Sequence, residues 1–358
     1  MNILVFEYAT AVGLEDPDFL LEGRAMLEGI MDDFVSLEIH SKIYYLIADK
    51  FQKLYYANRW DKSTPLILSQ DLKKWIDENI SNFDACIFVA AEENMELYEF
   101  SRQIEEKGVK IIGSNASAVL KCSDKLKTFE ALQGKVPVID THKLFLKDIQ
   151  SETIPDYYKF LLEDFNSNSE SKSLKNKMII KPADGVACQG IKVVESWDDI
   201  IKVVQGIKTS LPYLLLQNFI EGESCSVSLL ANGKSAYPLS LNRQKIEFKE
   251  DGLEYMGGEV PWNHPLSQKA MDVAKKVVES IEGLKGYVGV DLIISDQIYV
   301  VEINSRLTTP YVALRKLIYS NLGQLIFNAS EGYLPDKIKL NGHMKFKKGN
   351  SCLKIIDV

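Results

Sequence analysis

Histidine is scarce in this chain, and its four copies, at 40, 142, 264 and 343, are too dispersed to suggest a zinc centre or a serine-type triad. Cysteine adds little: five residues, at 86, 122, 188, 225 and 352, are odd in number and show no C-x-x-C spacing, which argues against a disulfide framework or a structural zinc. Cys86, in an apolar run at 85–90, reads as a core filler. A G-x-x-x-x-G-K-[ST] loop is absent, so a P-loop nucleotide site is excluded. No apolar run approaches the roughly 20 residues that span a bilayer. The opening Met1-Asn-Ile-Leu-Val-Phe lacks a basic leader, so a cytoplasmic protein with no membrane partner is expected. Charge of one sign is never concentrated: 50 acidic and 42 basic residues give a net −8 without a basic arm, and nucleic acid is not an expected partner.

What remains is a chain of 358 residues, enough for two or three domains. Up to about residue 115, strand signals at 3–7, 85–90 and 109–112 alternate with helical spacing at 18–34, 69–80 and 92–107, and the stretch 37–56 is ambiguous. That alternation predicts an open α/β domain with a parallel sheet over 1–115. A helix through Leu132 follows, then an edge strand at 136–139 limited by Pro137. The serine-rich stretch near 165–178 reads as a mobile insertion. Strands at 178–181, 191–194 and 213–218, with a helix that Ser196 and Asp199 can box, complete a small antiparallel unit over 116–218. The last unit, 219–358, holds a hairpin at 225–241 around Asn232-Gly233, a type I′ turn signal, and a helix at 265–282.

Its most informative segment is Gly289-Val-Asp-Leu-Ile-Ile-Ser-Asp-Gln-Ile-Tyr-Val-Val-Glu-Ile-Asn-Ser-Arg306. Two β-rich halves flank Ser295-Asp296-Gln297. If Ile294 faces Tyr299, Asp291 falls opposite Glu302, and period two puts Asn304 on the same face. Opposed carboxylates repel unless a cation lies between them, and hard oxygen donors suit Mg²⁺. Taken alone, the wet face of a surface hairpin explains the pattern equally well.

Three upstream motifs bear on the choice. Ile179-Ile-Lys-Pro-Ala-Asp-Gly-Val-Ala-Cys-Gln-Gly-Ile191 sets Lys181 at a strand end before a loop containing Gly185 and Gly190, able to turn N–H groups and an ammonium toward phosphate, or simply to turn a hairpin. Leu214-Leu-Leu-Gln-Asn-Phe-Ile-Glu-Gly-Glu223 is a strand that breaks into a linker, with backbone groups for a purine edge, Phe219 or Ile220 for its face and an acid for ribose hydroxyls; it is also a plausible connector. Cys122-Ser-Asp-Lys125 places a lysine in a helical stretch, ordinarily a solvated position.

In this order and spacing, Lys125, Lys181, Gly185, Gly190, Gln217 to Glu223, Asp291 and Glu302-x-Asn304 resemble the ATP-grasp ligase superfamily over about residues 110–330. The resemblance implies two α+β lobes gripping ATP, with Lys125 and Lys181 on its phosphates and the loop 183–190 closing over them. Gln217 and the Ile220 backbone would meet adenine, Glu223 the ribose, and Asp291, Glu302 and Asn304 would hold Mg²⁺, with Mn²⁺ as an alternative. Gln217 departs from the glutamate many members carry. Within the superfamily, Phe6-Glu-Tyr-Ala-Thr-Ala-Val-Gly13 and Glu22-Gly-Arg-Ala-Met26 resemble the archaeal tyramine-glutamate ligases of methanofuran biosynthesis.

The chemistry so implied joins a small-molecule carboxylate to an amine through an acylphosphate, releasing ADP and phosphate, with L-glutamate and tyramine as the specific pair. Another amino acid and amine, a small-molecule kinase or a non-catalytic nucleotide binder stay open, and a homodimer is compatible. Arg306 is placed to hold the transferring phosphoryl group or acyl oxyanion, or else forms a surface ion pair. Arg243 could clamp a substrate carboxylate or form a structural bridge. Glu7 and Tyr8, after the first strand, lie where open α/β sheets bind ligands, and Glu7 could pair with an amine or cap the next helix. The stretch 255–264, with paired glycines, Trp262 and His264, reads as a mobile pocket wall or as packing.

Overall fold

The structure, a computed structural model, describes residues 1–52, 60–149, 155–159, 177–185, 190–249, 252–348 and 353–357. Three sheets organise it. The first is parallel, from β1 (Asn2–Glu7), β2 (Lys42–Ala48), β3 (Ser63–Leu68), β4 (Ala85–Val89) and β5 (Lys110–Ile111), in the order β3-β2-β1-β4-β5. Its central strands are apolar because both faces are covered. Ile3 and Val5 pack on Met26, Leu27, Ile30 and Phe34 of the helix Pro17–Phe34, whereas Leu4 and Phe6 pack on Leu72 and Ile76 of one helix and Leu97 and Phe100 of another. Phe6 stacks on Phe88, with ring centroids 5.0 Å apart, and meets Phe100 edge-on at 6.2 Å. β3 was not anticipated; its Pro65 suits an edge, where its missing N–H costs no ladder bond.

The second sheet is antiparallel, from β6 (Thr141–Phe145), β7 (Met178–Pro182), β8 (Lys192–Val194) and β9 (Tyr213–Asn218), ordered β6-β9-β7-β8. β6 occupies the edge expected of 136–139, where only Val138 forms an isolated bridge, to Val300. Ser196 caps the helix Trp197–Val204, accepting from the Asp199 N–H while its hydroxyl donates to the Asp199 carboxylate. The expected long helix before β6 is two, Ala116–Ser123 and Lys125–Leu132, because the Asp124 side chain accepts from the Leu126 N–H and starts the second. Most of the serine-rich stretch, and residues 186–189 of the glycine loop, lie outside the described residues.

The third sheet comprises β10 (Glu223–Asn232), β11 (Ala236–Lys249), β12 (Gly252–Val260), β13 (Lys285–Ile294), β14 (Ile298–Asn304), β15 (Met344–Lys348) and β16 (Leu353–Asp357), ordered β14-β13-β10-β11-β12-β15-β16. The β10–β11 turn is longer than a two-residue I′ turn: Ala231 pairs with Ala236, and Asn232 Oδ1 accepts from the N–H groups of Lys234 and Ser235. Residues 255–260, expected as a loop wall, lie inside β12 between β11 and β15. A Cβ on Gly257 or Gly258 would strike the Phe346 or Arg243 carbonyl, so these glycines permit close strand approach rather than motion.

The first and third sheets share a core. Helix Pro17–Phe34 packs with Tyr311, Leu314, Ile326 and Phe327 from the helices Pro310–Leu317 and Leu322–Ser330. Inside this contact Asp33 receives Arg315 Nε at 3.0 Å, Arg315 Nη2 at 2.6 Å and the Tyr311 hydroxyl at 2.6 Å.

Candidate active site

A cavity of about 600 Å³ lies where the three sheets converge. Its floor is the β13–β14 hairpin. Asp291 pairs with Glu302 and Gly289 with Asn304, so both carboxylates and the amide stand on one face, as the alternation predicts. The register in between differs from the sequence expectation: Ile294 pairs with Ile298 and Ile293 with Tyr299, and a bulge beyond Leu292 restores the Asp291–Glu302 pairing.

Lys125 is delivered to this floor from the first turn of its helix. Asp124 holds that turn twice, by capping it and by accepting from the Tyr213 hydroxyl at 3.0 Å, and the Lys125 N–H donates to the Ala183 carbonyl at 3.0 Å. Lys125 Nζ reaches Glu302 Oε2 at 3.0 Å and also donates to the Gly185 carbonyl. Burial works against the charged forms, but the ammoniums of Lys125 and Lys181 outweigh it and hold the Glu302 carboxyl below its ordinary range. Asp291 goes the other way: burial, then the facing Glu302 charge, pushes it well above. Such a pair is relieved by a proton on Asp291 or by a cation between the two groups. Among the described residues no three His, Cys, Asp or Glu side chains converge as a cage. Two carboxylates and Asn304 therefore fit an ion that completes its shell with phosphate oxygens and water, as Mg²⁺ does.

The second sheet and the segments leaving its strands form another wall, with Lys181 and Gln217 on β7 and β9 and Gly185, Phe219 and Ile220 just beyond them. Gln217 is buried, and its orientation can be derived. Thr141 donates its single hydroxyl proton to the Ile139 carbonyl at 2.8 Å, so Thr141 Oγ1 accepts from Gln217 Nε2 at 2.6 Å. The amide carbonyl of Gln217 is thereby left as the acceptor.

Three expected residues, Arg243, Glu223 and Gly190, are placed differently, and a fourth, Glu7, takes the capping alternative while lining the cavity. Arg243 does not line the cavity; it is half exposed, 4.0 Å from Glu259, with its guanidinium over the Trp262 ring at 5.6 Å. Strand parity is the reason, because its neighbour Gln244 points inward and hydrogen-bonds Asp291. Glu223 also lies off the lining, 3.1 Å from His264 Nε2, whereas Glu221 and Ser224 line the wall. Gly190 is not on the lining either; it turns the chain with φ 68° against Pro182. Glu7 lines the cavity, but both of its oxygens accept from backbone, the N–H groups of Ala9 and Thr10, each at 2.9 Å, so it caps the helix Tyr8–Val12.

Arg306 does line the cavity, and its ion pair is buried rather than on the surface. Nε donates to Glu92 Oε1 at 3.0 Å and Nη2 to Glu92 Oε2 at 2.7 Å, a fork between the first sheet and the third. Glu92, Gln244 and Thr141 were not singled out from the sequence. The acidic run after β4, at the carboxyl end of a parallel strand, was a usable signal for Glu92.

Lysines, opposed carboxylates and a buried amide round a cleft between sheets define a nucleotide-dependent ligase of the ATP-grasp type. A family model described as an ATP-grasp domain matches residues 122–310, and the chain belongs to that family. It is 34% identical over 341 residues to tyramine--L-glutamate ligase of Methanocaldococcus fervens, covering 94% of this chain and 97% of the relative. The enzyme of the same name from Methanocaldococcus jannaschii is 31% identical, covering 94% and 92%. Among solved structures, an ATP-grasp superfamily protein from Archaeoglobus fulgidus superposes with a TM-score of 0.70 at 25% identity, covering 100% of this chain and 99% of that one. The chain is thus an ATP-dependent carbon–nitrogen ligase.

Proposed function

We propose that this ligase joins the γ-carboxylate of L-glutamate to the amine of tyramine. The observation that carries the reading is the division of one cavity: among the described residues, every lysine and arginine on its lining, Lys125, Lys181 and Arg306, stands beside the Asp291–Glu302 floor, while the end under the first sheet is apolar and acidic. An anionic acyl donor with its phosphate belongs at the first end, an arylalkyl amine at the second. The pairing named for the two archaeal relatives agrees with that division.

ATP would lie between the second and third sheets, with Lys125 and Lys181 on its phosphates, Phe219 and Ile220 at the base, and the Gln217 carbonyl accepting from the exocyclic amine of adenine. Mg²⁺, when bound, supplies charge neutralisation at the β- and γ-phosphates, and Asp291, Glu302 and Asn304 are the residues that would hold it. The lysines and Arg306 align the γ-phosphorus with a glutamate carboxylate oxygen. The bond from that phosphorus to the bridging oxygen breaks as the new P–O bond forms, leaving ADP and an acylphosphate. The amine lone pair then attacks the acyl carbon, the C–O bond to phosphate breaks, and the nitrogen loses a proton. Arg306 would stabilise the oxyanion between these events with the N–H groups not taken by Glu92 and the Leu307 carbonyl.

Incubating the purified protein with ATP, Mg²⁺, L-glutamate and tyramine should yield glutamyltyramine by mass spectrometry, with one ADP and one phosphate per amide. ADP release without the amide, or a different amide from a mixed pool of amines and acids, would reject the pair.

A further inference from the structure

The apolar end of the cavity coincides with a topological feature. In the order β3-β2-β1-β4-β5, the chain leaves β1 toward β2 on one side and returns to β4 on the other, so the carboxyl ends of β1 and β4 open a crevice between diverging connections. The segment after β1 supplies Tyr8 and the segment after β4 supplies Glu96, and the Tyr8 hydroxyl donates to Glu96 Oε1 at 2.9 Å across the crevice. Both residues line the cavity, and Leu14, Phe19 and Met26 line the same chamber.

The backbone is bent to make this arrangement. Asn94 and Met95 both lie in the left-handed region, at φ 53° and 61°, immediately before the helix Glu96–Glu106. A methionine gains nothing there by itself, and left-handed backbone outside glycine costs on the order of 1 kcal/mol or more. The consequence of the bend is that Glu92 faces Arg306 while Glu96 faces Tyr8.

The chamber also has a direction. Glu7 and Glu22 stand in the electrostatic reach of Arg306, and Glu22 accepts from the Thr309 hydroxyl at 2.7 Å, which puts them on the reacting side. Tyr8 and Glu96 instead feel Asp71 and Lys73, away from the floor. An amine seated here meets acid near the chemistry, apolar side chains along its middle, and a tyrosine–carboxylate pair at its far end.

We propose that this crevice seats the arylalkyl amine, and that Tyr8 and Glu96 are specificity residues whose oxygens accept the hydrogen bond of its phenolic hydroxyl. The inference rests on the proposed tyramine reaction and adds which atoms read the phenol. Glu96 has a second carboxylate oxygen beyond the one bound by Tyr8, and partial burial makes an unmet donor or acceptor at this end costly. A site of this kind rejects an analogue that lacks the hydroxyl more strongly than an apolar pocket would.

The test compares tyramine with 2-phenylethylamine, the same amine without its hydroxyl, at saturating ATP and L-glutamate. Wild-type protein should favour tyramine in kcat/KM by about 10- to 100-fold. Glu96→Gln and Tyr8→Phe should each shrink that ratio severalfold, with the change mostly in KM for tyramine. Calorimetric titration of tyramine into the folded variants, with Mg²⁺-ADP present, keeps the test valid if turnover is low; weaker binding of tyramine but not of 2-phenylethylamine is expected. If the wild type forms glutamyltyramine but both variants keep its full ratio, the phenol seat is wrong and the ligase reading stands. If it forms no amide from either arylalkyl amine while another amine reacts, both fall.

Discussion

Glu7 and Gln217 show how single side chains are set by what their neighbours have already spent. Burial pushes the Glu7 carboxyl up to about 7, against the opposing pull of the Ala9 and Thr10 N–H groups and of Arg306. An unfolded glutamate titrates near 4.5, so the folded state holds the extra proton between these values. The stability this contributes is complete below about 4.5 and is lost as pH rises through about 7, a change of roughly 3 kcal/mol. Denaturation midpoints should therefore fall from pH 5 to pH 8, and Glu7→Gln should flatten that slope; an unchanged slope would remove Glu7 as its cause. For Gln217, the dependence runs through Thr141, whose proton goes to Ile139 and whose lone pair holds the amide in one orientation. Thr141→Val should let the amide turn and lower the preference for ATP over GTP by about tenfold, read as the ratio of their kcat/KM values. Thr141→Ser should keep the preference.

Helix Pro17–Phe34 works as one element at two ends. Phe19, Glu22, Gly23 and Met26 wall the cavity, and Asp33 locks the far end to Arg315 and Tyr311. Asp33→Ala would leave the Arg315 guanidinium short of its main partner, and should cost about 3–5 kcal/mol in denaturant unfolding. Arg315→Met together with Asp33→Leu should recover much of that loss if the charge, not the space, is responsible. Element by element, the sequence was legible where periodicity decides. The continuous apolar runs of β1 and β4 and the three-residue spacing of the Ser196 box were legible directly, whereas alternation gave the Asp291–Glu302 face only because the bulge beyond Leu292 offsets a one-residue difference in register. Three kinds of feature escaped. β3 and β6 are as long as β1 and β4, but Pro65 in one and the mixed Thr-His-Lys-Leu-Phe of the other weaken their strand signal. Parity misled at single positions, since Arg243 and Glu223 carry charge that drew attention while their uncharged neighbours Gln244 and Ser224 face the cavity. The pairing of Arg306 with Glu92, 214 residues apart, is not written in local spacing, although the acidic run after β4 marked Glu92 itself.

At the scale of the whole molecule, the cavity joins the second sheet, which has a core of its own, to the first and third, which share one, and its floor sets two carboxylates face to face. In the free protein that opposition is a standing cost, offset in part by Lys125 bridging to Glu302. Mg²⁺ with a nucleotide would convert the cost into a tie, since the ion would rest on the third sheet while the phosphates rest on the lysines of Lys125 and Lys181. Asp291→Asn keeps the shape and removes one of the facing charges. The free variant should therefore be more stable than wild type, by on the order of 1 kcal/mol, as substitutions of charge-opposed functional residues often are. With Mg²⁺-ADP at about 100 times its Kd, wild type should gain roughly 3 kcal/mol, seen as a rise in Tm, and the variant should gain much less. The two curves should then cross: variant above wild type without ligand, wild type above variant with it. A variant that gains as much from Mg²⁺-ADP as wild type would show that Asp291 does not hold the ion. One less stable than wild type in both conditions would show that the carboxylate serves the fold and not the metal.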